Sequence, residues 1–171
     1  MSRSSGVPAD GALTWRCVPF DSLFPRELQA IHAARQRVFI VEQHCAFLDA
    51  DAHDERAHHL AAWVAGEPEP VAYARLLPPG ARYPEASIGR VLTSATMRER
   101  GLGRQLMARA LLLVAAMWPQ AAVRISAQTR LEPFYASFGF VVIGAPYLED
   151  GIEHTEMLRA GDVDPALPTG S

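Results

Sequence analysis

One stretch limits the fold of this chain more than any other. A strand-like segment from Ser87 to Thr93 leads into the glycine loop Arg98-Glu99-Arg100-Gly101-Leu102-Gly103-Arg104, and a helix with Leu102, Leu106, Ala110, Leu113 and Met117 on one face follows at once. Strand, tight loop and amphipathic helix in direct succession point to a sheet with helices packed on it. Gly101 and Gly103 lack a β-carbon, so the backbone can turn sharply and let a bulky anion approach N–H groups that a helix N-terminus makes electropositive. Arg98, Arg100 and Arg104 add positive charge. The residues alone leave two readings open: a pyrophosphate cradle, or a glycine-rich turn whose arginines are simply solvated.

The remaining elements agree with a mixed α/β or α+β sheet domain. Leu13 to Val18 reads as a first strand, and Pro25 opens a helix whose apolar positions Leu28, Ile31, Val38 and Phe39 carry it to about Val41. Glu42 to Ala57 is polar and acidic and reads as a solvated loop. His59 to Val64 and Val71 to Leu77 read as an antiparallel hairpin, and Pro119 closes the long helix. Val123 to Ala127, Phe140 to Ile143 and Glu153 to Leu158 are further strands, with a short helix at Pro133 to Ser137 ended by Gly139. The expected organisation is one domain over 11–159, with polar ends at 1–10 and 160–171 that are expected to be mobile.

Composition removes several classes of function. The 171 residues match one domain, 49% of them apolar and 20% charged, the signature of a globular chain. The longest apolar stretch, Ala108 to Trp118, is too short to span a bilayer, and the first ten residues hold no apolar signal segment, so no membrane and a cytoplasmic location are expected. A net charge of -3 argues against nucleic acid, and Trp15, Trp63 and Trp118 are expected in the core. Cys17 and Cys45 suggest neither a disulfide nor a cysteine zinc site, and both are expected as packing thiols. His53, Asp54, His58, His59 and His154 lack a recognised ligand spacing; His58 and His59 point to opposite faces of a strand, so no metal is expected.

The loop resembles the acetyl-coenzyme A signature of the GNAT N-acetyltransferase superfamily, [QR]-x-x-G-x-[GA], through Arg98, Gly101 and Gly103. About thirty residues on, Phe134-Tyr135-Ala136-Ser137-Phe138-Gly139-Phe140 resembles that family's FYxxFGF segment. Arg35 to Gln43, Cys45, Asp51, Asp54, Gly89-Arg90-Val91, Ala127-Gln128 and Gly151-Ile152-x-His154 resemble its ElaA-like branch, with Phe47 where a tyrosine is common. The resemblance implies a mostly antiparallel central sheet flanked by helices and splayed between strands 4 and 5. It implies acetyl-coenzyme A as co-substrate, held by Val91, Leu92, Thr93, Arg98, Arg100, Gly101, Leu102, Gly103 and Arg104, and it is compatible with a homodimer.

The implied activity is transfer of an acetyl group to a small-molecule or peptide amine by direct attack. The Leu92 or Thr93 N–H would polarise the acetyl carbonyl, and Tyr135 would protonate the departing thiolate. Glu42 is the candidate to bind the amine or accept its proton, with Glu153 and His154 as further candidates. The competing reading is a non-catalytic coenzyme A-binding sensor or interaction module with the same fold.

Overall fold

The computed structural model describes residues 12–162, so the expectations for 1–10 and for most of 160–171 lie outside the described residues. The first half of the chain builds an antiparallel meander in which β1 (Thr14–Pro19), β2 (His58–Trp63), β3 (Ala72–Leu77) and β4 (Ala86–Thr93) pair in sequence order. The second half adds β5 (Val123–Gln128), parallel to β4, then β6 (Val141–Val142), β7 (Tyr147–Glu149) and β8 (Ile152–Arg159). β8 runs antiparallel to β5 along its length and also pairs with β6 and β7. The expected mostly antiparallel sheet is therefore present, with one parallel contact at β4 and β5.

Three helices complete the domain: α1 (Pro25–Gln36), α2 (Leu102–Met117) and α3 (Glu132–Ala136). Pro25 begins α1 where its missing N–H costs nothing, and the Glu27 carboxylate accepts the Phe24 backbone N–H at 2.9 Å. α2 buries Leu102, Leu106, Met107, Ala110 and Val114. Its buried face is thus turned slightly from the expected one, leaving Leu113 and Met117 half-buried at the margin. Side chains alternate across the strands as a period of two requires: Leu60 and Ala62 join the cluster under α2, while Ala61 between them joins Ile31, Ala34 and Val38 of the α1 side. The sheet is buried on both faces, and every residue of β3 is buried.

Three sequence-based expectations are corrected. The first helix does not run regularly to Val41, because Arg37–Glu42 widens into a π turn that puts Val38 in the core and turns Phe39 and Glu42 toward a cavity. A hairpin, β7 to β8, was not expected, yet its turn residues Asp150 and Gly151 have φ of 50° and 77°, the left-handed pair that a tight two-residue hairpin needs. The acidic loop is not solvated. Asp49 and Asp54 are each only 4% exposed, and a third correction follows from where they point.

Arg35 of α1 and Arg75 of β3 are 0% and 1% exposed, and these acids neutralise them. Arg35 donates from Nε to Asp49 Oδ2 and from Nη1 to Asp54 Oδ1, both at 2.7 Å. Arg75 donates to Asp51 at 2.6 Å and to Asp54 at 2.8 Å. Burial pushes the Asp54 carboxyl up, but the hydrogen bonds and charge of Arg35 and Arg75 outweigh it and hold the group well below the usual carboxylate range.

A buried charge that loses its partners keeps its desolvation penalty. Arg35→Ala is expected to cost about 3–5 kcal/mol in urea-unfolding measurements. The depressed Asp54 carboxyl adds stability that is fully present above the unfolded carboxylate pKa and is lost as pH falls through the lower folded value. Stability is therefore expected to fall in acid, and Asp54→Asn should both lower stability at pH 7 and flatten that acid slope. A slope unchanged by Asp54→Asn would contradict the assignment.

Candidate active site

β4 and β5 share only the register pairs Ala86↔Val123 and Ser87↔Arg124, after which they part. A cavity of about 710 Å³ fills the opening, with Val91, Leu92 and Thr93 on one wall and Ile125, Ala127 and Gln128 on the other. Just beyond the point of parting, β4 bulges against β3. Between the pairs Tyr73↔Leu92 and Arg75↔Gly89 the partner strand β3 advances two residues while β4 advances three, and Arg90 takes a left-handed φ of 52°. A non-glycine residue held at positive φ costs about 1–2 kcal/mol, and Arg90 offsets it by donating from Nε to Asp49 Oδ1 at 2.8 Å. The ring of Phe47 covers its guanidinium at 5.6 Å.

One end of the cavity reaches the glycine loop. Gly101 is the N-cap of α2 with φ of 72°, it offers no side-chain cap, and the first turn holds no acidic residue. The free N–H donors of that turn are thus left for an outside acceptor. Leu102 is buried in the core and anchors the turn, and Gly103 lines the cavity, where an added β-carbon would lie 3.8 Å from Phe134 Cζ. The three loop arginines have separate surroundings. Arg98 lines the cavity and donates to Glu42 Oε2 at 2.6 Å and to the Thr93 carbonyl at 3.2 Å. Arg104 donates to Ser137 Oγ at 3.0 Å and lies over the Phe138 ring, while Arg100 is exposed. Of the residues nominated from the sequence, Glu42, Val91, Leu92, Thr93, Arg98, Gly103 and Tyr135 line one cavity, Arg100, Gly101, Leu102 and Arg104 do not, and Glu42 and Arg98 are in direct contact.

Tyr135 lines the same cavity from α3, 7% exposed and wedged edge-on between Phe134 and Phe140. Burial pushes its hydroxyl up to about 12, so it stays protonated near neutral pH, the state a proton donor needs. The other end of the cavity is built by residues that the sequence pattern did not join. Cys45 packs there with its Sγ 3.0 Å from the Asp150 carbonyl, Gln43 accepts from Gln128 at 3.2 Å, and the Tyr147 hydroxyl bonds Ser126 Oγ. The Asp150-Gly151 turn was the available signal for this wall. Glu153, a sequence candidate, is exposed on the opposite face of β8, whereas His154 lines the cavity. His59 is spent elsewhere, its ring nitrogens bonded to Tyr73 Oη at 2.8 Å and the Asp54 carbonyl at 2.9 Å.

Known proteins resemble this chain in sequence and fold. The family model described as acetyltransferase (GNAT) domain matches residues 27–159. ElaA of Escherichia coli is 36% identical over 149 residues, covering 86% of this chain and 96% of ElaA. A UPF0039 protein of Synechocystis sp. is 42% identical over 146 residues, covering 85% of this chain and 94% of its own length. The crystal structure of an acyl-CoA N-acyltransferase from Pseudomonas aeruginosa superposes with a TM-score of 0.82 at 41% identity, covering 87% of this chain and 100% of that one. The chain therefore belongs to the GNAT acetyltransferase family in its ElaA-like branch.

Proposed function

We propose that the protein is an acetyl-coenzyme A-dependent N-acetyltransferase whose acceptor amine attacks the thioester directly. The observation that carries this reading is the splay, because a strand edge that loses its neighbour after Ser87 leaves backbone donors and acceptors facing a cavity of about 710 Å³. An extended pantetheine arm is a partner for such an edge, and Val91, Leu92 and Thr93 would pair with it. The uncapped N-terminus of α2 suits a pyrophosphate, with Gly101, Leu102 and Gly103 supplying backbone N–H donors and Arg98, Arg100 and Arg104 supplying charge. The description of the matching family model supports acetyl as the group transferred, and the relationship to an acyl-CoA N-acyltransferase supports acyl transfer in general.

In this reading the Leu92 or Thr93 N–H stabilises the developing oxyanion, a contribution of about 3–4 kcal/mol for a well-placed donor. Tyr135 gives its proton to the departing thiolate. Glu42 holds Arg98 in place through its carboxylate. A cytoplasmic location fits this chemistry, and among the described residues no helix is long and apolar enough to cross a membrane.

Calorimetry with acetyl-coenzyme A and with coenzyme A tests the cradle. Gly101→Asp forces a side chain onto a left-handed backbone, at a cost of about 1–2 kcal/mol, and puts a carboxylate in front of the helix donors. Binding at least about tenfold weaker is expected, which is about 1.4 kcal/mol; unchanged affinity in a folded variant would sink the site. In a thiol-release assay Tyr135→Phe should lower kcat by about 100-fold while leaving coenzyme affinity intact. Acetyl-coenzyme A should give a higher kcat/KM than butyryl- or octanoyl-coenzyme A in the same assay, and preference for a longer chain would correct the acyl group without touching the fold.

A further inference from the structure

We propose that His154 is the base that takes a proton from the acceptor's ammonium group, with the Glu149 carboxylate holding that ammonium against His154 Nε2. The inference rests on the N-acetyltransferase reading and names the machinery at its acceptor end. His154 Nδ1 lies 2.8 Å from the Ile152 carbonyl oxygen. A carbonyl only accepts, so Nδ1 carries the proton and the neutral ring keeps its bare lone pair on Nε2. Nε2 stands 3.9 Å from Glu149 Oε2, too far for a direct hydrogen bond, and both groups line the cavity. A nitrogen placed between them can bond to both at once, and a primary ammonium has the donors to do so.

The ring is held for this task. Tyr147 stacks on it with centroids 6.0 Å apart at 25°, and the Tyr147 hydroxyl is tied to Ser126 of β5. Across β5 the register partner is Gln128, which carries no charge, and Gln128 accepts from Arg130 Nε at 3.1 Å. The ring stacks on Tyr147, and the titratable and charged groups lining this part of the cavity are Glu149 of β7, Asp150 at the hairpin turn, Cys45, Arg82 and Arg130 beyond β5. The Glu149 carboxylate beside Nε2 supplies the negative charge for a cation at this position. The other candidates are worse placed, since Glu42 Oε2 is bonded to Arg98 and Glu153 points away from the cavity.

The step balances without a further reactant. The ammonium passes one proton to Nε2, giving an imidazolium beside Glu149 and a free amine lone pair. That lone pair forms the C–N bond to the acetyl carbon, and the C–S bond breaks with its electron pair going to sulfur. The thiolate takes a proton from Tyr135, the second proton leaving nitrogen restores Tyr135, and the imidazolium returns its proton to solvent.

The test follows thiol release by the whole protein with acetyl-coenzyme A and a series of primary amines, including propylamine, phenethylamine and a lysine-containing peptide. His154→Gln is expected to lower kcat/KM by about 100-fold at pH 7 and to leave acetyl-coenzyme A affinity and thermal unfolding unchanged. The loss should shrink as pH rises toward the amine's own pKa, because the free amine then needs no base. Glu149→Gln should raise KM for the amine by about tenfold with little change in kcat. Nitrogen-15 NMR of the coenzyme-free protein should find the neutral His154 ring protonated on Nδ1 and bare on Nε2. A ring protonated on Nε2, or His154→Gln turnover with an unaltered pH profile, overturns the proposal alone. No turnover of any amine by the wild type overturns the N-acetyltransferase reading and this proposal with it.

Discussion

The buried charge cluster of Arg35, Arg75, Asp49, Asp51 and Asp54 is the interaction on which the rest of the molecule depends. It joins α1, the segment before β2, β3 and the β4 bulge through hydrogen bonds of 2.6 to 2.8 Å. Charges removed from water cost several kcal/mol each, and only dense mutual pairing returns that cost. The segment from Asp49 to Asp54 has little regular structure to hold it, so the arginines fix its path. Once fixed, its neighbours Cys45 and Phe47 become one wall of the cleft.

The cluster also reaches the strand that forms the other wall. Asp49 accepts from Arg35 with one oxygen and from Arg90 with the other, so the carboxylate that neutralises the core guanidinium also holds the residue at the β4 bulge. The bulge falls in the part of β4 that no longer pairs with β5 and lines the cavity. A local conformation that is unfavourable for Arg90 is maintained by a charge pair inherited from the core. The buried core and the cavity wall are therefore joined through one side chain, Asp49.

This division explains what the sequence could and could not reveal. The strands were legible to within a residue or two because apolar alternation is local, and the glycine loop was legible because Gly101 must be left-handed to start α2. The family's motif then joined Tyr135 to that loop across thirty residues of chain. The charge cluster was not legible. Its members are separated by 14, 19 and 41 residues, and an aspartate that will be buried opposite an arginine looks the same in sequence as one that will face water. The π turn was missed for a different reason, since widening one turn by a residue leaves the helical period of Ile31, Val38 and Phe39 nearly intact. The β7 to β8 hairpin was missed although Asp150-Gly151 is a strong turn signal, because β7 is three residues long and half exposed.

The two ends of the cleft are organised by opposite electrostatic rules. At the glycine loop a helix that would ordinarily gain about 1 kcal/mol from a capping side chain has none, and no acidic residue occupies its first turn. Those donors are rigid as well as free, because Leu102, Leu106 and Ala110 fix the helix in the core. An anion bound there is met by groups that need not reorganise. At the hairpin end Glu149 and Asp150 line the wall instead, and Arg130 is engaged with Gln128. A ligand negative at one end and a second ligand positive at the other would be drawn into one cavity from opposite sides, with the buried Tyr135 on the wall they share.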